Sequence, residues 1–207
     1  MLLYTDEYWN DVEKVAECIP NIDKLRGRTI LVTGATGMIG SAVAEILFHM
    51  NHTRKLHMNI ILAGRSRSRI NKRFQTFVSE NDFGFSYYDA DTGTLEMGSV
   101  QPDFIIHGAS PADPYSFSTR PVETMLANIN GLSVLLDILK NNQSGRLLYL
   151  SSSEVYGRSS RNQPFSEGDY GYVDILNFRA CYPSAKRAAE TLKELIMTII
   201  VTGGAGF

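Results

Sequence analysis

Between residues 29 and 49 the chain runs Thr-Ile-Leu-Val-Thr, then Gly-Ala-Thr-Gly-Met-Ile-Gly, then a stretch with helical apolar spacing. A buried-type strand, a glycine turn and a helix in direct succession leave few architectures open. Glycines at 34, 37 and 40 let the backbone reverse tightly and approach a ligand closely. The N–H groups that open the helix, at the positive end of its dipole, make such a turn a receptor for a pyrophosphate. The candidate contacts are Gly34, Thr36, Gly37, Met38, Ile39 and Gly40. A glycine turn without a ligand is the other reading of this spacing taken alone.

The rest of the chain repeats the alternation. Strands are predicted at 59–63, 85–88, 104–107 and 146–151, and helices at 66–80, 121–140 and 182–196. Strands alternating with helices of this length predict an α/β fold, a Rossmann-type doubly wound parallel sheet with its ligand at the carboxyl ends of the strands. Residues 4–19 carry Tyr8, Val12, Val15, Ala16 and Ile19 at helical spacing before Pro20. The expected organisation is therefore a helical extension over 1–27, a nucleotide-binding domain over 28–196 and a terminal strand over 197–207. That last stretch, Met-Thr-Ile-Ile-Val-Thr-Gly-Gly-Ala-Gly-Phe, repeats the pattern around the first glycine turn. It is either the opening of a truncated second copy or an unrelated edge strand, and in both cases 198–201 is expected to be used as a strand.

Charge and composition narrow the partners. Lys and Arg total 20 against 22 Asp and Glu, so no basic field exists to condense on nucleic acid or an anionic membrane. No run approaches the roughly eighteen apolar residues of a membrane span, and the first residues lack the basic and apolar regions of a secretory signal, so a cytoplasmic setting is expected. Cys18 and Cys181 have no metal-ligand spacing and read as reduced thiols, with no metal site.

The second strand ends Leu-Ala-Gly-Arg-Ser-Arg, without the acid that commonly holds ribose hydroxyls. Arg65 and Arg67 can instead receive a 2′-phosphate through paired hydrogen bonds, which leans toward NADP; solvated charges at a helix start are the alternative. Asp89, followed by Ala90, ends the third strand where it can meet an adenine amino group, and Gly108, Ala109 and Ser110 follow the fourth. Tyr182 and Lys186 are four apart and share one helix face. A phenol titrates at about 10, and lowering that by about three units requires roughly 4 kcal/mol of differential stabilisation, which an ammonium and a nicotinamide cation can supply. Tyr182 would then take a proton from a sugar hydroxyl, oriented by Ser152 at the tip of the fifth strand, with Glu154 for secondary proton transfer or substrate positioning.

The ordered motifs Thr-Gly-Ala-Thr-Gly-Met-Ile-Gly, His-Gly-Ala-Ser, Asn-Ile-Asn-Gly, Ser-Ser-Ser-Glu-Val-Tyr-Gly and Tyr-Pro-Ser-Ala-Lys together resemble the extended short-chain dehydrogenase/reductases, the NAD-dependent epimerase/dehydratase family, over 28 to about 195. The resemblance implies an NAD(P) cofactor, NAD by family habit, with Asn128 among its contacts, Tyr182 and Lys186 catalytic and Ser152 assisting. Family dehydratases carry an Asp where Ser153 stands, which disfavours dehydration. The stretch 171–191, with Arg179 before Cys-Tyr and the Ser-Ser-Glu at 152–154, is most similar to the UDP-glucuronate decarboxylase branch. That similarity implies a nucleotide-sugar substrate, a UDP-sugar, oxidised at C4 to a β-keto acid that loses carbon dioxide; epimerisation shares the first step, and the two are not separated. A homodimer through the helices at 121–140 and 182–196 is implied as well. The chain leaves no room for most of the family's C-terminal substrate lobe, so weak or absent turnover, recruitment of a partner chain, or a cofactor-binding or interaction module without catalysis is the rival expectation.

Overall fold

The computed structural model describes residues 4–78, 82–140, 142, 144–159, 163–194 and 200–202. In chain order the elements are α1 (Asp6–Glu17), β1 (Thr29–Thr33), α2 (Met38–Thr53), β2 (Asn59–Gly64), α3 (Arg67–Arg73), α4 (Gln75–Val78), β3 (Gly84–Asp89) and β4 (Thr94–Glu96). They continue with β5 (Phe104–His107), α5 (Pro114–Thr119), α6 (Pro121–Lys140), β6 (Arg146–Leu150), α7 (Cys181–Glu194) and β7 (Ile200–Thr202). One sheet holds all seven strands in the order β4-β3-β2-β1-β5-β6-β7. Every pairing is parallel except β3 with β4.

The apolar runs of β1 and β2 are explained by helices on both faces. Ile30, Val32, Ile60 and Leu62 pack with Phe48, Phe74 and Phe77 from α2, α3–α4 and their junction. Leu31, Ile61 and Ile105 face the other way, against Leu132, Leu135 and Leu136 of α6 and Ala189 of α7. Each such side chain, once buried, contributes about 2 kcal/mol, so a strand buried on two faces is strongly held in register. α6 is long and apolar enough to cross a bilayer by length and composition, but its leucine face is the one packed on the sheet.

α1 is tied to this core through polar groups as well. Thr5 caps it by accepting the Tyr8 N–H at 3.2 Å. Glu45 of α2, 1% exposed, accepts hydrogen bonds from the hydroxyls of Tyr4 and Tyr8 and pairs with Arg73 at 2.7 Å. A buried carboxylate is tolerated only with such partners.

Three features differ from the sequence reading. The helix expected at 66–80 breaks at Phe74, whose backbone leaves helical geometry while its ring becomes fully buried; residues 79 and 80 lie outside the described residues. The sheet is mixed, because the three-residue β4 folds back antiparallel on β3, a segment too short to show a period of two. The terminal apolar run does join the sheet, as β7 in parallel register beside β6, while 198 and 199 lie outside the described residues. The strand order reverses around β1, which lies between β2 and β5, and that reversal opens a crevice at the carboxyl ends of the strands.

Candidate active site

The glycine turn is held against the neighbouring strand by side-chain and backbone bonds. Thr33 Oγ1 lies 2.7 Å from His107 Nδ1 and accepts the Ala109 N–H at 3.2 Å, stitching the end of β1 to the end of β5. Gly34 then sits at φ +71°, and a Cβ placed on it would lie 2.5 Å from the Gly108 carbonyl carbon. A Cβ on Gly40 would come within 2.2 Å of the Gly34 carbonyl oxygen. Gly37 is different: it opens α2 with extended backbone, is exposed, and meets nothing closer than 3.3 Å. The first and third glycines therefore shape the turn, and the second leaves its outer surface open. Thr36, Met38 and Ile39 are exposed on the same rim, Met38 at 85%.

A cleft of about 360 Å³ opens over this turn. It is lined by residues 34–37 and 63–66, by Ala90 and Asp91, by residues 108–111, and on the far wall by Asp113, Ser116 and Arg120. Arg65 and Arg69 stand at its β2 end, and Asp91 lies 3.4 Å from Arg65. Backbone too close for any side chain, N–H groups at a helix start and two guanidinium groups at one end suit a nicotinamide dinucleotide. Residues 34–40 would hold its pyrophosphate and the Arg65 end its adenosine ribose.

Several expected contacts are placed elsewhere. Asp89 is not in the cleft lining; its Oδ1 accepts the Asp91 N–H at 3.2 Å, and it is Asp91 that faces the cleft. Arg67 lies over the Phe85 ring at 5.1 Å, whereas Arg69, which the sequence reading passed over, lines the cleft. Asn128 is 1% exposed and acts as a strut, donating to Thr124 O at 2.8 Å and accepting from Ser110 Oγ at 2.9 Å. It thus fixes the loop after β5 to α6.

The second group of side chains gathers beside the cleft. Tyr182, 6% exposed, stacks on Phe117 with ring centroids 4.4 Å apart. Ser152, whose hydroxyl favours ionisation of that phenol, caps the short 3-10 helix Ser153–Tyr156 by accepting the Glu154 N–H at 3.2 Å. Lys186, one helical turn on, is 3% exposed; its Nζ donates to Leu150 O at 2.8 Å and lies 4.6 Å from the Tyr149 ring centre and 5.7 Å from that of Tyr182. Neighbouring residues of α5 join the two regions, since Ser116 lines the cleft while Phe117 carries Tyr182.

The sequence profile of the NAD dependent epimerase/dehydratase family matches residues 30–196, which include both regions. The chain belongs to this family. Among curated proteins it is 32% identical over 165 residues to UDP-glucuronic acid decarboxylase 1 of Xenopus tropicalis, covering 80% of this chain and 36% of that protein. It is 30% identical over 186 residues to UDP-glucuronic acid decarboxylase 2 of Arabidopsis thaliana, covering 90% of this chain and 39% of that protein. The chain thus spans well under half the length of these relatives. Among solved structures, the Bordetella bronchiseptica enzyme WbmH in complex with NAD+ superposes with a TM-score of 0.64 at 21% identity, covering 84% of this chain and 54% of that one. UDP-glucuronic acid 4-epimerase from Bacillus cereus in complex with NAD gives 0.60 at 20% identity, covering 84% and 55%.

Burial dominates the protonation of both Tyr182 and Lys186. Burial raises the Tyr182 phenol above its ordinary value; the Ser152 hydroxyl opposes that, Glu154 adds to it and Arg179 offsets it. Burial pushes the Lys186 ammonium down to about 7, with Glu190 opposing. His107, directly behind, is driven down to about 3 by burial and then by Lys186, so it is neutral. In the free chain the phenol therefore keeps its proton and the lysine is only partly charged near neutrality.

This has a consequence for stability. The folded-state value of Lys186 lies below the unfolded value of about 10.4, so between about pH 7 and pH 10 the unfolded chain binds a proton that the folded chain does not. Stability contributed at this position rises with pH through that window. Urea unfolding of wild type should gain on Lys186→Met between the two ends of the range; parallel pH profiles would contradict the assignment.

Glu154 is not free. Arg179 donates to both its oxygens, at 2.7 and 3.0 Å. A second cavity of about 310 Å³ adjoins this pair, with Gly157, Tyr172, Asn177 and Pro183 among its walls. The Ser-rich turn and Arg179, two residues before Cys181, thus meet in space, which spacing along the chain does not reveal.

Proposed function

We propose that this chain binds a nicotinamide dinucleotide over the glycine turn and oxidises the C4 hydroxyl of a UDP-sugar, UDP-glucuronate being the first candidate, with decarboxylation or epimerisation as the outcome. The observation that carries this reading is Lys186 Nζ 5.7 Å from the centre of the Tyr182 ring, with Phe117 stacked on that ring and its neighbour Ser116 lining the cleft shared with Gly34 and Gly37. The names of the curated relatives supply the candidate substrate.

When bound, the dinucleotide supplies a hydride acceptor. The chain supplies the proton path: the Tyr182 phenolate takes the hydroxyl proton, and Ser152 bridges substrate and phenol. Ionising that phenol requires positive charge nearby, so Lys186 must hold its proton when the phenol acts. Ser153, in place of the dehydratase acid, leaves no group there to expel water.

At the β2 end, Arg65 and Arg69 with Ser66 favour a 2′-phosphate, and hence NADP over NAD. Charge-assisted bonds of about 1.5–3 kcal/mol predict that Arg65→Ala with Arg69→Ala weakens NADP about tenfold or more and leaves NAD nearly unchanged. Calorimetric titration with both cofactors checks this, and equal losses would assign the arginines no role in phosphate recognition. We further propose a homodimer through α6 and α7, to be read by sedimentation velocity.

Function is tested by mixing the chain with each cofactor and UDP-glucuronate, following reduced cofactor by its near-ultraviolet absorbance and released carbon dioxide by trapping. Reduced cofactor or an altered sugar is expected. Cofactor binding without either would replace this reading by a second one, a non-catalytic cofactor-binding module. That second reading draws on the bond that turns Lys186 Nζ to Leu150 O.

A further inference from the structure

Arg179 lies outside the motif that carries Tyr182 and Lys186, yet it touches what surrounds the phenol on two sides. Its guanidinium grips both oxygens of Glu154 at 2.7 and 3.0 Å. The same group lies 4.5 Å from the centre of the Phe117 ring, and Phe117 in turn stacks on Tyr182 at 4.4 Å with an interplanar angle of 21°. Phe117 thus contacts both the guanidinium and the phenol ring, and the guanidinium holds the Glu154 carboxylate. Asn177 caps the 3-10 helix Phe178–Ala180 by accepting the Arg179 N–H at 2.9 Å, so the base of the side chain is held as well.

A surface ion pair gains little, because two long side chains must be ordered in water. This one is partly covered, bidentate and stacked on an aromatic face, which removes most of the freedom of the guanidinium. We infer that Arg179 is a positioning residue for Tyr182: through Phe117 it fixes the plane of the phenol, and by clamping Glu154 it balances the negative charge beside it. As an account of how the proposed proton acceptor is set, the inference rests on the reading above, but its physical content concerns the free chain and is testable without turnover.

The charged or titratable groups around the phenol come from several elements. Glu154 belongs to the 3-10 helix after β6, Arg179 to the one before α7, Lys186 to α7 itself and Tyr149 to β6, while α5 contributes the uncharged Phe117. Of these, Glu154 opposes ionisation of Tyr182 and Arg179 favours it. Removing Glu154 alone therefore leaves the guanidinium unopposed and moves the phenol titration down. Removing Arg179 from that background moves it back.

The test is a pH titration of the full chain labelled with ¹³Cζ-tyrosine, the Tyr182 resonance being assigned by its loss in Tyr182→Phe. Glu154→Gln should titrate at lower pH than wild type. The double variant Glu154→Gln with Arg179→Gln should return to the wild-type titration or above it, and Glu154→Gln with Arg179→Lys should stay low. Circular dichroism at each pH confirms that the fold is retained; should Arg179→Gln fail to fold, the lysine variant and Phe117→Leu still read the charge and the stack separately. Phe117→Leu is expected to shift the Tyr182 resonance at constant pH, because the stacked ring is gone. If the single and double variants titrate together, Arg179 is a structural tether only and the inference is wrong. Absence of cofactor binding, by contrast, would overturn the proposed function and leave these titrations as predicted.

Discussion

Replacing Gly34 by alanine is expected to destabilise the fold by about 3 kcal/mol and to abolish cofactor binding. The backbone there is left-handed, a conformation that costs an L-residue about 1–2 kcal/mol. The added methyl would also lie 2.5 Å from the Gly108 carbonyl carbon and 2.7 Å from the Ala109 nitrogen, and forced overpacking costs a further 1–3 kcal/mol or so. Relief requires the ends of β1 and β5 to separate, which breaks the Thr33 bonds to His107 and Ala109. Gly37→Ala is the contrasting variant. Its φ of −77° is ordinary and its methyl meets only the Gly34 oxygen, at 3.3 Å, so stability should change by less than about 1 kcal/mol. Urea unfolding of the two variants separates them; similar midpoints would show that the turn is not packed as described.

If the proposed oxidation of UDP-glucuronate occurs, Tyr182→Phe is expected to lower it by about a hundredfold to ten-thousandfold, the range for loss of a positioned proton-transfer group. Its ring remains, so the stack on Phe117 and the cover over Lys186 persist, and cofactor affinity should stay within about twofold of wild type. Initial rates together with a calorimetric titration give both quantities. Unchanged turnover would remove Tyr182 from the chemistry, and a parallel loss of affinity would make it a binding residue instead.

How much of this was readable beforehand depended on how local each signal is. The strand–glycine–helix unit at 29–49 and the apolar periods of α6 and β6 are properties of contiguous residues, and their type and order are seen as expected. The end of α3 was not legible, since Phe74 leaves the helix to fill a space made by Phe48 and Phe83, residues distant in the chain. At the site, spacing placed Tyr182 and Lys186 on one helix face. It gave no measure of burial, which turns out to outweigh the neighbouring charge for both groups. At Asp89 the fold adds a turn contact, the Asp91 N–H donating to its Oδ1, which a strand end read from sequence does not show. Arg179 is legible in sequence only as a residue type near Cys-Tyr; its partners, Glu154 and Phe117, lie 25 and 62 positions earlier, and only folding brings the three together.

The central claim is that the glycine turn and the Ser152–Tyr182–Lys186 group serve one dinucleotide. Adding NAD or NADP to chain labelled with ¹³Cζ-tyrosine reads this directly, with Tyr182→Phe identifying one resonance among the chain's 10 tyrosines. The Tyr182 signal should move saturably, with the same half-saturation as the calorimetric heat, and its titration should drop to lower pH once the positive nicotinamide is beside it. Saturable binding that leaves the Tyr182 signal where it was would contradict the account.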